Sequence, residues 1–306
     1  MSPTGLVVMA YGTPRAPEEV EAYYTDIRRG RPPTPELLAQ LQGRYAAIGG
    51  ISPLAERTEA QRAALAAALD QRDPGGYRVV LGNKHAAPFI EDAVRTLAAD
   101  GVERAVGLVL APHYSGFSVG QYHARAAAAG AEVGLDLLPI DRWHLEPAYI
   151  EFLADALGDA RALLPARHKV LFTAHSLPER VLVDDPYPDQ LRESAAAVAE
   201  RVGLAAWPDW ALAWQSAGRT PEPWRGPDIL KVIRDLAATD RTDGVVVCAQ
   251  GFVADHLEVL YDLDIEAAAV AAEHGLAFGR TRSLNADPTV MAALADRVVA
   301  RAAEEH

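Results

Sequence analysis

A chain of 306 residues that is 50% hydrophobic and 23% charged carries enough apolar side chain for one large core or two ordinary ones, which excludes disordered and collagen-like classes. Its net charge of −13 repels phosphate backbones, so no nucleic-acid partner is expected. No apolar run reaches the roughly 20 residues that span a bilayer, and no basic residue precedes an apolar stretch at the N-terminus. No integral membrane segment is therefore expected, and a cytoplasmic location is. The single cysteine, Cys248, makes no internal disulfide and cannot hold an iron–sulfur cluster or a structural zinc. Any metal chemistry must use oxygen and nitrogen ligands.

The first element is a buried strand over 6–9, followed by Tyr11-Gly12-Thr13-Pro14. Next come Arg28, Arg29 and Arg31, then Gly43-Arg44-Tyr45, a local positive excess in an acidic chain. Guanidinium forks match carboxylates, so an anionic ligand is one reading and ordinary surface arginines the other. Ser52-Pro53 has the form of a helix N-cap with Pro at the first helical position, leaving N–H groups that suit an anion or simply capping a helix, and 59–69 reads as helix. A strand over 78–81 runs into Lys84-His85, one over 105–110 into Pro112-His113-Tyr114-Ser115, and one over 135–140 into Asp141-Arg142-Trp143-His144. The second half repeats the theme with strands over 169–173, 211–214, 244–248 and, weakly, 276–279, and with helices over 189–202 and 288–303.

Short buried strands alternating with helices predict an α/β fold of two similar Rossmann-like doubly wound domains, whose parallel four-stranded sheets face an interdomain cleft. The expected division is 1–141 and 142–287, with the C-terminal helix 288–306 folding back on the first unit. Polar side chains cluster where strands end, and ligand crevices in such sheets lie at the carboxyl ends of strands. No Gly-x-Gly-x-x-Gly or Walker loop is present, so a nucleotide cradle is not expected.

Two features point to chemistry. The segment from Gly251 opens a helix expected to run to about His274, which puts Glu258, Asp262 and Glu266 at successive fourth positions. On an α-helix these form one stripe of like charge beside an apolar face of Leu257, Tyr261, Ile265 and Ala268, read either as a solvated edge or as the ligands of a hard divalent ion. His175-Ser176 follows the fifth strand, where an imidazole is either a hydrogen-bonded structural residue or a base or metal ligand. Ser176 lacks the Gly-x-Ser-x-Gly elbow, so a serine nucleophile is rejected.

Together, Met9-Ala10-Tyr11-Gly12-Thr13-Pro14, the run from Tyr45 to Leu54, Ala174-His175-Ser176-Leu177-Pro178, Trp214-Gln215-Ser216 with Pro223-Trp224, and Gly251 to Asp262 resemble the ferrochelatases, which insert ferrous iron into porphyrins. The run from Tyr23 to Gly30 is similar to the soluble, monomeric branch that uses coproporphyrin III. The resemblance implies that His175 and Glu258 face one side of the macrocycle as catalytic and metal-handling groups and that Tyr11 faces the other. Asp262 and Glu266, with Arg44 nearby, are implied to bind a hydrated cation and to lead metal inward. Arg28, Arg29, Arg44, Tyr45, Ser52, Tyr122, Thr13, Lys84, His85 and Trp224 are implied contacts for the porphyrin or its propionates. The implied reaction takes Fe²⁺ and coproporphyrin III as substrates and gives coproheme, with no tightly bound cofactor, no iron–sulfur cluster, a regulatory Mg²⁺ or Ca²⁺, and a downstream coproheme-processing enzyme as partner. The alternatives at this point are a protoporphyrin IX ferrochelatase, a related cobalt chelatase and, from another class, a non-catalytic tetrapyrrole or solute carrier.

Overall fold

In the computed structural model, which describes residues 2–205 and 208–304, all eight expected strands form within two residues of their expected limits. Residue 1 and residues 305–306, the outer ends of the expected first unit and last helix, lie outside the described residues. The strand β1 (Thr4–Ala10) is buried on both faces along Gly5 to Ala10, as an unbroken apolar run in a parallel sheet must be. It pairs with β2 (Tyr77–Asn83) on one side and β3 (Arg104–Val109) on the other, with β4 (Asp136–Ile140) beyond, in the order β2-β1-β3-β4. The second half builds the same sheet from β5 (His168–His175), β6 (Trp210–Gln215), β7 (Gly244–Cys248) and β8 (Ala277–Arg280), in the order β6-β5-β7-β8. In each sheet the order reverses between the first and third strands, and the crevice at such a switch point is where side chains beyond the strand ends converge.

The helices are α1 (Val20–Ile27), α2 (Pro35–Ala47), α3 (Leu54–Arg72), α4 (Ile90–Ala99), α5 (Val119–Val133), α6 (Pro147–Ala162), α7 (Tyr187–Arg201), α8 (Ile229–Ala237), α9 (Leu257–Leu260), α10 (Ala268–Glu273) and α11 (Pro288–Ala303). One apolar core runs through both halves, from Leu6 and Val8 past Leu65, Tyr149 and Leu153 to Phe172 and Val246. The last helix, α11, lies against α3: Arg72 donates to Asp296 at 2.5 Å and to the Ala292 carbonyl at 2.9 Å. Arg297 and Arg301 donate to the carbonyls of Arg142 and Pro139, at 3.0 and 3.1 Å. The α1–α2 excursion has its own small cluster, in which Val20 and Tyr45 pack on Leu257 from the other half.

The helix expected to start at Gly251 instead starts at Leu257, because Gly251 to His256 form the loop that leaves β7. Between α9 and α10, Asp262–Ala267 form a π turn, in which the Glu266 N–H reaches the Tyr261 carbonyl at 2.9 Å. The wider turn lines up residues spaced by four. The buried face is accordingly Val259, Leu263, Ala267 and Ala271, whereas Ile265, expected on the apolar face, is 36% exposed.

Candidate active site

Tyr11 leaves β1, His175 closes β5, and Glu258 lies in the first turn of the helix after β7. His175 is therefore the last strand residue, paired with Gln215 of β6, rather than the first residue of a loop. The tight turn after β1 depends on Gly12, at φ +86, where a Cβ would meet Ala86 at 2.9 Å. The loop after β2 continues the pairing, with the Lys84 and His85 N–H groups donating to the carbonyls of Ala10 and Tyr11. This lays the His85 ring against Tyr11, with centroids 4.7 Å apart. Gly251 does the matching work in the second half: a Cβ there would sit 2.5 Å from that of Ala174, so only glycine lets the chain cross the end of β5.

Glu258 is held between two imidazoles. Nε2 of His175 lies 3.6 Å from one carboxylate oxygen and Nε2 of His256 3.6 Å from the other. Each ring is oriented from behind, His175 through Nδ1 against the Ser176 carbonyl at 2.5 Å and His256 through Nδ1 against the Ala254 carbonyl at 3.0 Å. Burial alone raises a carboxyl and lowers an imidazole, but in this pair the mutual attraction wins. Glu258 stays well below the ordinary carboxylate range against the pull of burial, through His175 and His256. His175 is raised because Glu258 outweighs its burial. His256 was missed as a site residue in the sequence; its position two residues before Glu258, ahead of a helix start, was the available signal.

Five tyrosines share the electrostatic field of Glu258. The phenols of Tyr11, Tyr23, Tyr45, Tyr122 and Tyr187 are all held protonated above their usual value, first by the cleft walls that displace water and then by that carboxylate among others. Tyr11 is 42% exposed at the cleft, braced edge-on by Tyr23, whose hydroxyl donates to the Gly12 carbonyl at 3.2 Å. The other expected contacts sort by depth. Thr13 and Tyr45 are buried and their hydroxyls meet at 3.4 Å. Ser52 is buried and its Oγ accepts the Leu54 N–H at 3.2 Å, but α3 begins at Leu54 with Pro53 as its N-cap and no side-chain cap bond, so Ser52 stands one residue before the cap position expected of it. Tyr122 is buried under Lys84, whose Nζ lies 5.0 Å from the ring centroid and donates to Gln121 at 2.7 Å. Burial, then the charges of Arg125 and Arg29, lower the Lys84 ammonium to about 8. Arg125 grips Glu91 with two bonds of 2.7 and 2.8 Å and donates to the Lys84 carbonyl. His85 is fixed by Asp26 at 2.8 Å, yet burial keeps its imidazole below the usual value.

Arg28 and Arg29 lie at the end of α1, where Arg29 takes a left-handed φ of +58 and leaves its side chain exposed. Trp224 is bridged to Pro178, in the turn after His175, and its Nε1 donates to Thr220 at 3.0 Å. Ser176 is buried and donates to the Arg225 carbonyl at 2.8 Å, in keeping with its rejection as a nucleophile.

The acid stripe is not uniformly solvated. Side chains of Glu258 and Glu266 are 32% and 43% exposed, while Asp262 between them is 7% exposed. Arg44 covers it, pairing with Asp262, lying 4.0 Å from Glu266 and stacking over Tyr261 at 4.4 Å. Burial and the neighbouring Glu258 raise the Asp262 carboxyl to about 6, against Arg44 and the Ser216 hydroxyl. Among the described residues no three His, Asp or Glu side chains converge as a ready metal cage. The four expected metal-handling groups are strung along β5 and one helix face instead.

Two Rossmann-like halves with a histidine, a carboxylate and a tyrosine at the strand ends define a chelatase-type fold. The structure is similar to SirB from Bacillus subtilis, solved with Fe³⁺, with a TM-score of 0.58 at 12% identity over 98% of this chain and 96% of that one. It is also similar to CbiX, with a TM-score of 0.54 at 17% identity over 98% and 100%. The ferrochelatase family profile matches residues 3–302, and the chain belongs to that family. It is 45% identical to the coproporphyrin III ferrochelatase of Listeria innocua over 95% of each chain, and 45% identical to that of Geobacillus kaustophilus over 98% of this chain and 96% of the other.

Proposed function

We infer that the protein is a coproporphyrin III ferrochelatase, a lyase that inserts Fe²⁺ into coproporphyrin III and yields coproheme. The observation that carries this reading is the Glu258 carboxylate flanked by two oriented histidines across a cleft from Tyr11, in a chain 45% identical along almost its whole length to enzymes of that name. Metal insertion must strip water from Fe²⁺, remove two pyrrole protons and bend the macrocycle so that nitrogen lone pairs meet the metal. His175 accepts a proton at Nε2 or holds the entering iron, and Glu258, shared with His256, takes and relays protons outward. Tyr11 positions metal from the opposite face, and two rigid sheet ends hold the bent ring between them.

The carboxylates of Asp262 and Glu266 suit a hard oxygen-seeking cation, and the raised Asp262 marks a charge short of compensation. These two residues would hold an exchangeable Mg²⁺ or Ca²⁺ in place of the Arg44 contact, with no tightly bound cofactor. Arg28, Arg29, Arg44 and Lys84 receive the propionates, with Thr13, Tyr45, Ser52, Tyr122, His85 and Trp224 shaping the walls. Among the described residues no helix is long and apolar enough to cross a membrane. The enzyme acts as a cytoplasmic monomer and passes coproheme to an enzyme that processes it.

The test is anaerobic insertion of Fe²⁺ into coproporphyrin III and protoporphyrin IX in detergent-free, low-salt buffer. The higher kcat/KM is expected for coproporphyrin III. A preference for protoporphyrin IX would reject the substrate, and absence of insertion into either would reject the reaction.

A further inference from the structure

The loop that leads to Glu258 has a tether from outside its own half. Glu258 follows the segment from Gly251 to His256, and that segment is held by a side chain from the opposite half of the molecule. Gln61, in the middle of α3, is fully buried. Its Nε2 donates to the Val253 carbonyl at 3.2 Å and to the Asn285 carbonyl at 2.9 Å. Its Oε1 has no partner among the described residues. An apolar side chain of the same length would fill this space without an orphaned oxygen, so the two donated bonds are what the amide contributes. The reversed amide would point oxygen at two carbonyls, which fixes its orientation.

The two acceptors belong to one ring of hydrogen bonds. The Val253 carbonyl also receives the Asn285 N–H at 2.9 Å. Asn285, at a left-handed φ of +46, then turns its side chain on Asp255, accepting the Asp255 N–H and donating to its carboxylate, both at 3.0 Å. Ser283 and Arg280 donate to the other Asp255 oxygen at 2.7 and 3.3 Å. The Asp255 side chain is thereby turned to the loop after β8, and the next residue, His256, is delivered extended toward Glu258.

We propose that Gln61 is a positioning residue for metal insertion: it ties the loop bearing His256 and Glu258 to α3, so the separation of the two halves sets where the carboxylate stands against the Tyr11 wall. Gln61 touches neither His256 nor Glu258. The proposal rests on the reaction assigned above.

The test uses the full chain, with turnover expressed per porphyrin-binding site counted by coproporphyrin titration, so that a loss of folded protein does not register as a loss of rate. Gln61→Leu keeps the volume and removes both donors. It is expected to lower kcat per site by about tenfold or more while KM for coproporphyrin III stays within about twofold, since small displacements of reacting groups cost rate before they cost ring binding. Gln61→Glu restores one of the two donated bonds, and only when protonated. Its rate relative to the parent chain is expected to recover as the pH is lowered from about 8 to about 6, a recovery that a purely structural role does not produce. Turnover per site within twofold of the parent for Gln61→Leu, or no pH-dependent recovery in Gln61→Glu, overturns the positioning role. A parent chain that binds coproporphyrin III without inserting Fe²⁺ overturns the assigned reaction, and this role with it.

Discussion

At the scale of single residues, the site is governed by how one carboxylate is compensated. Glu258 keeps its charge in the cleft only because His175 and His256 flank it, so removing one imidazole changes both a proton acceptor and the carboxylate beside it. His175→Ala is expected to abolish iron insertion while coproporphyrin affinity, measured by fluorescence quenching, stays within about tenfold, because ring stacking is untouched. Glu258→Gln should behave alike; near-parental turnover in either variant contradicts the assigned roles. Lys84 supplies a pH signature. Its pKa lies below that of free lysine, so the proton leaves as pH climbs through about 8. A bound propionate favours the charged form, so binding takes up a proton and coproporphyrin affinity should weaken as pH rises through that value. For stability, the cost of holding a charged lysine is fully present below about pH 8 and is relieved as pH rises toward the unfolded value. Lys84→Met should bind more weakly and remove that part of the pH dependence; an unchanged profile means that Lys84 does not receive a propionate.

At the scale of elements, the π turn between α9 and α10 decides what the acid stripe is. By aligning residues spaced by four, it buries Val259, Leu263, Ala267 and Ala271 together and leaves Glu258, Asp262 and Glu266 in a row beside Arg44. Replacing Asp262 and Glu266 by Ala should raise KM for Fe²⁺ more than KM for porphyrin; equal changes, or none, would make the row an ordinary polar face. The crossing of the β7 loop over the end of β5 is the second element-level constraint. Gly251→Ala places a methyl group 2.5 Å from the Ala174 Cβ and 2.7 Å from its Cα, a backbone atom that does not give cheaply. A loss of about 1–3 kcal/mol is expected from such overpacking, read as a lower denaturation midpoint with a fall in kcat. An unchanged midpoint would show that the loop yields.

At the scale of the whole molecule, the two halves share one apolar core, and Arg44 and Gln61 of the first half hydrogen-bond to the second. Coproporphyrin III has four propionates and protoporphyrin IX two, and the proposed propionate contacts Arg28, Arg29, Arg44 and Lys84 are cations on a protein of net charge −13. Contacts to exposed arginines are screened by salt, whereas stacking of the ring is not. The advantage of coproporphyrin III in kcat/KM should therefore shrink as salt is raised; a preference that does not respond to salt would assign it to shape rather than charge.

The amino-acid sequence by itself determined the α/β class, the eight strands and the family, because buried strands and strand-end motifs such as Ala174-His175-Ser176 are local patterns. The π turn was not legible, since one wide turn leaves the composition of a helix unchanged and follows from how both faces pack. The pairing of Arg44 with Asp262, the flanking of Glu258 by His256 and the tether from Gln61 join residues far apart in the chain or set by a loop conformation. Periodicity carries no information about such contacts. Only the folded structure decided them, because hydrogen bonds and charge compensation act over a few ångströms and depend on which groups the backbone brings that close.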